Sequence, residues 1–282
     1  MSLLVVGALH WDVVVRAPRL PLLDETLRGQ EVAYQFGGKG GNQAIAAAKA
    51  GAYVAFAGRI GSDEAGASMK TRLQTAGIDI SQLQQGSGAS GMSVAIVTKD
   101  GDYGAVIVSA ENHAFSTSAL VLPADCAMVL LQNEMPQDVL SACAAAARKQ
   151  GARVVWNAAP AKDIAASDLA LVDALIVNRV EAADILCIAD VGQDPVGAVA
   201  GLAELAPRAE IILTLGGDGV AFAAPGKPGE VQSAQPVDVI STHGAGDAFV
   251  GAFAASRLCG RSLADAVSAG QKAAAVHISY NR

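Results

Sequence analysis

A lone carboxylate follows a run of small residues near the carboxyl end of the chain. Residues 241–247 read Ser-Thr-His-Gly-Ala-Gly-Asp, and an apolar stretch typical of a helix follows them. The backbone N–H groups of Gly244, Ala245 and Gly246 could approach a ligand closely, and N–H groups at a helix N-terminus bind anions. An ionised Asp247 only accepts hydrogen bonds, which suits it to take a proton from a hydroxyl group beside the anion. The segment predicts phosphoryl transfer to an alcohol; the alternative is an ordinary helix start capped by Asp247.

A second glycine cluster lies near the amino end. Residues 36–44 read Phe-Gly-Gly-Lys-Gly-Gly-Asn-Gln-Ala. Four glycines in five positions are unfavourable inside a helix or strand, so they predict a loop that approaches a ligand, with Lys39 and Asn42 as its polar groups. The glycine after Lys39 excludes a Walker P-loop, and Asn42 at the sixth position excludes the dinucleotide-binding fingerprint. A glycine-rich hairpin loop is the alternative.

The two clusters, together with five shorter motifs in the same order, resemble the ribokinase family of carbohydrate kinases, the pfkB group. The shorter motifs are Gly-Ala-Leu-His-Trp-Asp at 7–12, Gln-Asn-Glu at 132–134, Asn-Ala-Ala-Pro-Ala at 157–161, Asn-Arg-Val-Glu at 178–181 and Thr-Leu-Gly-Gly-Asp-Gly at 214–219. The resemblance covers almost the whole chain. It implies a ribokinase-like α/β fold with a mostly parallel central sheet flanked by helices. It also implies a small β-sheet lid over the sugar, which often doubles as a dimer interface.

The resemblance further implies roles for individual residues. The implied substrate-binding residues are His10, Asp12, Gly38, Lys39, Asn42 and Glu134. The implied ATP-binding residues are Asn178, Glu181, Thr214, Gly216, Gly217, Gly219 and Gln271. Asp247 is the implied general base, and the N–H groups of residues 244–246 would stabilise charge on the transferred phosphate. Mg²⁺ would bridge the ATP phosphates near Asn178 and Glu181, with no protein ligand assigned directly.

Two of these assignments have plainer alternatives. Glu134 precedes Met135-Pro136, where a new element begins, so it could be a surface acid. Asn178 and Glu181 stand three residues apart at a predicted helix start, where they could form an N-cap with an acidic first turn.

The chain also departs from the family pattern. His10 stands next to Asp12 at a position where ribokinases have Asn, which leaves the identity of the sugar open. Ser241 stands where potassium-activated members have an Asp that helps to bind the cation, and the chain ends at 279–282, where those members continue. These departures argue against activation by a monovalent cation.

Composition narrows the class of protein. The 282 residues carry a formal net charge of −7, and no apolar run approaches the roughly 18 residues of a membrane helix. The first residues contain no basic segment typical of a signal peptide. The cysteines lack the spacing of metal ligands and are predicted to be buried thiols in a reducing compartment; they are Cys126, Cys143, Cys187 and Cys259. We expect a cytoplasmic protein without a membrane or nucleic-acid partner.

Strand-like and helix-like segments alternate, which predicts a mostly parallel sheet with helices on both faces. The predicted strands are 3–8, 53–57, 128–131, 154–156, 175–177 and 211–214; the predicted helices are 42–49, 64–75, 136–150, 181–187, 195–205, 245–258 and 262–279. Two strand pairs break the alternation, 12–16 with 26–34 and 93–98 with 103–109, the latter around the turn Lys99-Asp100-Gly101-Asp102. We expect one domain, 1–282, with lid segments at about 12–35 and 92–110. From the resemblance we expect a homodimer through the lid.

The sequence thus predicts an ATP-dependent phosphotransferase acting on a hydroxymethyl group of a small sugar, a pentose such as ribose. A nucleoside kinase of the adenosine or pseudouridine type is the first alternative, because both types present a ribose hydroxymethyl group. A non-catalytic ligand-binding protein on the same scaffold is the second. Ligands of open α/β sheets bind outside the carboxyl ends of the strands, so the distant motifs are expected to meet in one crevice there.

Overall fold

Two β-sheets organise the computed structural model, which describes residues 1–99, 103–162 and 164–279. In this part of the chain the larger sheet has nine strands in the spatial order β5-β4-β1-β8-β9-β10-β11-β12-β13. These are β1 Ser2–Val6, β4 Val54–Ile60, β5 Asp79–Gln85, β8 Cys126–Gln132, β9 Arg153–Asn157, β10 Ala174–Asn178, β11 Glu210–Thr214, β12 Val220–Ala223 and β13 Glu230–Gln232. The pairings from β5 to β11 are parallel, and β12 and β13 continue the sheet antiparallel. The mostly parallel sheet is confirmed.

The smaller sheet consists of β2 His10–Ala17, β3 Glu31–Gly37, β6 Met92–Thr98 and β7 Tyr103–Val108, in the order β3-β2-β6-β7. The predicted strand at 26–34 is wrong at its start. Strand β3 begins at Glu31, which pairs with Arg16 near the end of β2. The predicted turn between β6 and β7 includes residues 100–102, which lie outside the described residues.

Helices cover both faces of the larger sheet. They are α1 Lys39–Lys49, α2 Glu64–Thr75, α3 Gln137–Gln150, α4 Ala166–Leu169, α5 Arg179–Leu186, α6 Pro195–Leu205, α7 Ala245–Leu258 and α8 Leu263–Ser279. Alternate residues of β1 enter opposite cores, since side chains alternate along a strand. Leu4 joins the core that contains residues of α3 and α6, whereas Leu3 joins the core that contains residues of α1, α2, α7 and α8.

The glycine cluster at 37–41 spans the end of β3 and the first turn of a helix, whereas the sequence predicted a loop there. Helix α1 begins at Lys39, directly after Gly38, whose φ is +85°. A Cβ on Gly40 would lie 2.7 Å from the Cα of Gly7, and a Cβ on Gly41 would lie 2.6 Å from the ring of Phe36. The two helical glycines therefore let the first turn of α1 pack directly against the chain after β1 and against β3.

The cysteine prediction is half correct. All four cysteines are free, and Cys126 and Cys143 are buried. Cys187 and Cys259 are exposed, because they end α5 and α7 at the surface. Among the described residues, no helix is both long and apolar enough to cross a membrane.

Candidate active site

Asp247 lies in the first turn of α7, but it does not cap that helix. Gly244, with φ +76°, occupies the N-cap position, and no side chain caps α7. The Asp247 carboxylate is held by α1 instead: Gln43 Nε2 donates to Oδ1 at 2.9 Å, and Asn42 Nδ2 approaches Oδ2 at 3.4 Å. The alternative of an ordinary cap is therefore wrong, since both carboxylate oxygens face another helix.

Burial raises the pKa of Asp247, and four groups oppose that effect. They are Lys39 and His243 through their charges, and Gln43 and Asn42 through their hydrogen bonds. A buried carboxylate with a raised pKa is a stronger base in its ionised form than an exposed one, which suits it to general-base chemistry.

Close packing of α1 on α7 sets the distance between these groups. A Cβ on Gly251 of α7 would lie 2.5 Å from the carbonyl oxygen of Gln43 and 2.5 Å from the Cβ of Ala46. Only glycine fits at this crossing without moving a helix backbone. The crossing places Asn42 and Gln43 beside the first turn of α7.

The turn before α7 offers two backbone donors and not the three that the sequence predicted. The N–H of Ala245 donates to the carbonyl of Thr242 at 3.2 Å and is used within the turn. Within the described residues, the N–H groups of Gly244 and Gly246 have no acceptor. The carbonyl of His243 is in turn hydrogen-bonded to Nε2 of His277 on α8 at 2.9 Å.

A small cavity of about 70 Å³ brings together several of the predicted ATP-binding residues with Asp247. Its lining includes Asn178, Glu181, Thr214 and Gly246. Asn178 is also the N-cap of α5: its Oδ1 accepts from the N–H of Glu181 at 3.0 Å, and the Glu181 carboxylate accepts from the N–H of Asn178 at 2.7 Å. The N-cap alternative is thus correct, and the same reciprocal cap orients both side chains at the cavity.

Lys39 also lines the small cavity with the predicted ATP-binding residues, while its backbone N–H contacts Glu134 of the predicted sugar-binding group. As the first residue of α1, it projects back toward the helix N-terminus. Its charge lowers the pKa values of Glu134, Glu181 and Asp247, against the effect of burial on each. One ammonium group is therefore placed among three carboxylates.

Glu134 is not a surface acid. It is partly buried after β8, and its carboxylate accepts a hydrogen bond at 2.7 Å from the backbone N–H of Lys39 at the start of α1. Burial raises its pKa to about 7, and the nearby charges of Asp247 and Asp12 add to that rise. Three predicted site carboxylates therefore lie in one region.

The predicted sugar-binding residues of the first motif lie on the small sheet. Asp12 lies within β2, not at the edge of the larger sheet, and it accepts a hydrogen bond from Ser93 Oγ of β6 at 2.5 Å. His10 is buried at the start of β2, and burial lowers its pKa. Its Nε2 has no hydrogen-bond partner in the described part of the chain. Gly38 contacts this segment directly, because a Cβ there would lie 2.6 Å from the carbonyl oxygen of Ala8.

A larger cavity of about 750 Å³ reaches Asp247 from the other side. Helices α1, α2, α7 and α8 form its walls, and Trp11 and Phe36 of the small sheet contribute to its lining. Asn42 and Asp247 are the predicted site side chains that line it; Asp12 and Glu134 do not. Asp247 therefore borders both cavities, with the acidic region around Glu134 nearby.

The predicted phosphate turn is a short 3₁₀ turn at Gly216–Asp218, after β11. Thr214 reaches the small cavity, whereas Gly216 and Gly217 are exposed and do not line it. Gly219, with φ +110°, is required by packing, since a Cβ would lie 2.1 Å from the carbonyl oxygen of Gln232. Gln271 of α8 donates to the same carbonyl at 3.1 Å, so its amide holds the segment after β13.

Two site residues were missed by the sequence analysis. Gln43 is fully buried, and its Nε2 donates to Asn157 Oδ1 at 2.9 Å as well as to Asp247. Both residues lie inside motifs that were recognised, but neither was assigned a role. The available signal was an amide in the otherwise apolar segment 43–48, which is unusual for a buried helix face.

Comparisons with known proteins agree with this architecture. The model of the pfkB family of carbohydrate kinases matches residues 1–281. The chain is 34% identical to a ribokinase of Haemophilus influenzae over 287 residues, covering 99% of this chain and 92% of that protein. A solved structure of Arabidopsis thaliana ribokinase complexed with ribose and ATP superposes with a TM-score of 0.92 at 27% identity, covering 100% of this chain and 93% of that one. A ribokinase of Cryptococcus neoformans in complex with ADP gives a TM-score of 0.84 at 30% identity, covering 99% and 94% of the two chains. The chain belongs to the pfkB family of carbohydrate kinases.

Proposed function

We propose that this chain is an ATP-dependent kinase that phosphorylates the hydroxymethyl group of a pentose such as ribose, with Asp247 as general base. Family membership and the similar ribokinases support the reaction class and the sugar. One observation carries the assignment of the base: Asp247 lies between the small cavity and the acidic region around Glu134, and amides from α1 hold its carboxylate. A carboxylate between two sites can take a proton from a substrate in one while a phosphoryl group arrives from the other.

The acceptor binds in the region between Asp12, Glu134 and Asp247. The charges of Asp12 and Asp247 both act on Glu134, and carboxylates accept hydrogen bonds from the several hydroxyl groups of a sugar. Asn42 at the border of the region supplies an amide donor. The proton of the hydroxymethyl group passes to the Asp247 carboxylate as the hydroxyl oxygen forms its bond to the γ-phosphorus and ADP leaves.

The triphosphate occupies the small cavity. Lys39 provides a positive charge there, and Gly246 lines the same cavity. The N–H groups of Gly246 and of Gly244, which borders the larger cavity, stabilise charge on the transferred phosphoryl group. Among the described residues there is no cluster of three metal-ligating side chains. Mg²⁺ generally binds through one or two carboxylates together with substrate phosphates, so the residues fit an ion carried by ATP near Asn178 and Glu181. When bound, Mg²⁺ neutralises phosphate charge.

We also propose that the small sheet is a lid of a single domain and that its outer face forms a homodimer. One face of this sheet is apolar across all four strands: Phe36, Trp11, Met92 and Val108 align in one row, and Tyr34, Val13, Val94 and Val106 align in the next. Several of these side chains are largely exposed, Val106 by 67%. An apolar patch of this extent marks an interface, and a second copy of the same patch is complementary to it. The opposite face carries Asp12 and faces the acceptor.

The first test is release of ADP from Mg–ATP with ribose, deoxyribose, other small sugars and ribonucleosides, with and without potassium. We expect turnover with ribose or another pentose that does not depend on potassium, given Ser241. Asp247→Asn should keep the fold and ATP binding but lose about 10²–10⁴-fold in kcat. Near-wild-type turnover in that variant would show that Asp247 is not the base, and turnover with nucleosides alone would make the chain a nucleoside kinase.

A further inference from the structure

We propose that Gln43 is a positioning residue that holds Asp247 Oδ1 and leaves Oδ2 as the oxygen that receives the proton. This inference rests on the proposed function, in which Asp247 is the base. Gln43 lies on α1, is fully buried, and does not line either cavity. It therefore acts through Asp247 and not by contact with a substrate.

The orientation of the Gln43 amide is set by a chain of hydrogen bonds that begins at the main chain. The carbonyl of Ile176 in β10 can only accept, so Asn157 must turn its Nδ2 toward it, at 3.1 Å. Asn157 Oδ1 then faces Gln43 and accepts from Nε2 at 2.9 Å. The second N–H of the same Nε2 points to Asp247 Oδ1, also at 2.9 Å. A sheet carbonyl thus determines which end of the Gln43 amide meets the base.

The other end of the amide shows that the arrangement is not optimised for stability alone. Gln43 Oε1 is buried and has no hydrogen-bond partner among the described residues. A buried acceptor without a partner destabilises the folded state. Both hydrogens of Nε2 are nevertheless directed to acceptors, Asn157 Oδ1 and Asp247 Oδ1. This orientation satisfies Asp247 at the expense of Oε1, which favours a role for Gln43 in holding the carboxylate.

The two oxygens of Asp247 are consequently unequal. Oδ1 accepts the shorter hydrogen bond, at 2.9 Å, whereas Oδ2 is only approached by Asn42, at 3.4 Å. The hydrogen bond from Gln43 also lowers the pKa of Asp247 against the effect of burial, which favours the ionised form that a base needs. Loss of Gln43 should therefore loosen the carboxylate and raise its pKa together.

The test compares Gln43→Met with Gln137→Met, which is matched in two respects. Gln137 Nε2 also donates to a buried carboxylate, that of Asp168 at 2.8 Å, and its Oε1 is likewise buried with no partner among the residues that the structure describes. It lies on α3, away from both cavities. Gln43→Met should lower kcat by about 10- to 100-fold, because the Asp247 carboxylate is then misplaced. The KM values for ATP and for the sugar should each change by less than about threefold. The acid limb of kcat should move to higher pH. Gln137→Met should change none of these.

A second measurement does not depend on turnover. The side-chain carboxyl ¹³C resonance of Asp247, assigned by its loss in Asp247→Asn, should titrate at higher pH in Gln43→Met than in the wild type. Asn157→Leu should also move this titration to higher pH. The double variant Gln43→Met with Asn157→Leu should show no larger shift than Gln43→Met alone, as expected for two residues that act as one coupled unit.

The outcomes separate the two proposals. Wild-type kcat, pH profile and ¹³C titration in Gln43→Met, with an inactive Asp247→Asn, would overturn the role of Gln43 and leave the base in place. Full activity of Asp247→Asn would overturn the base and with it the positioning role. If the acceptor panel yields no turnover, an unchanged ¹³C titration still overturns the inference, and a shifted one supports it.

Discussion

Single carboxylates in this protein take their properties from the backbone groups and charges around them. Glu134 accepts from the N–H of Lys39, at the positive end of the α1 dipole, which favours the ionised form. Burial outweighs that contact and raises the pKa to about 7. A site carboxylate is thus kept poorly ionised until a ligand or a higher pH favours its charge.

At the residue scale, Glu134→Gln should stabilise the protein, and more so at alkaline pH. The unfolded chain loses the Glu134 proton near pH 4.5 whereas the folded chain holds it to about 7, so folding stability falls as pH rises through that window. The variant should gain at most about 3 kcal/mol at about pH 8 and little at about pH 5. Urea unfolding at both pH values measures this, with Glu64→Gln on the exposed start of α2 as control. Equal effects at both pH values would contradict the burial argument.

Two helices carry the two halves of the site, and their contact sets its geometry. Helix α1 supplies Lys39, Asn42 and Gln43, while α7 supplies Asp247. The pair cross at Gly251, where the backbones approach too closely for a side chain. Helix crossings at glycine allow such approach at the expense of helix propensity.

At the scale of elements, Gly251→Ala should reduce both stability and kcat. The new methyl group would lie 2.5 Å from the Gln43 carbonyl, so α7 must move and the contact between Gln43 and Asp247 lengthens. We expect a loss of about 1–3 kcal/mol in unfolding free energy and a larger fall in kcat than in ATP affinity. Gly201→Ala in α6 is the control, because its Cβ would meet only the end of the Leu186 side chain. Urea denaturation, ATP titration and turnover measurements distinguish the two variants. An unchanged kcat in Gly251→Ala would show that the crossing of α1 and α7 does not determine the geometry of the site.

The whole molecule exposes an apolar sheet face that a single chain does not bury. Rows of Val, Tyr and Met side chains cross β3, β2, β6 and β7, while the opposite face carries Asp12 and Ser93. Antiparallel edges and exposed apolar faces promote association unless they are covered. The proposed dimer would cover this face and hold the lid over the acceptor.

At the scale of the whole molecule, Val106→Asp should convert the dimer into a monomer. The side chain is 67% exposed in the chain alone, and a charge buried between two apolar faces is strongly unfavourable. Val121→Asp is the matched control, since Val121 is 66% exposed but lies in a loop outside the small sheet. Sedimentation velocity reports the change in mass. A monomeric wild type, or a dimer that survives Val106→Asp, would contradict the interface.

Sequence alone determined the strongly patterned parts of this protein. Central strands such as β8 and β10 are continuous apolar runs, and helices such as α2 and α6 have clear start and stop signals, so both types were predicted closely. Strand β5 was missed because it is a polar strand at the sheet edge, and β13 because it has three mostly exposed residues. The motifs identified the pfkB family. They also predicted Asp247 as the general base, because small residues directly before a carboxylate are recognisable in the sequence itself.

Tertiary structure decided what those motifs contact. The glycines at 40 and 41 serve helix packing, and Lys39 lines the small cavity. Gln43 meets Asp247 across 204 positions of sequence only because α1 crosses α7 at a glycine. Burial and the arrangement of distant backbones determine such pairings and the pKa values that follow from them. No local pattern encodes them, because the partner of each group belongs to another element.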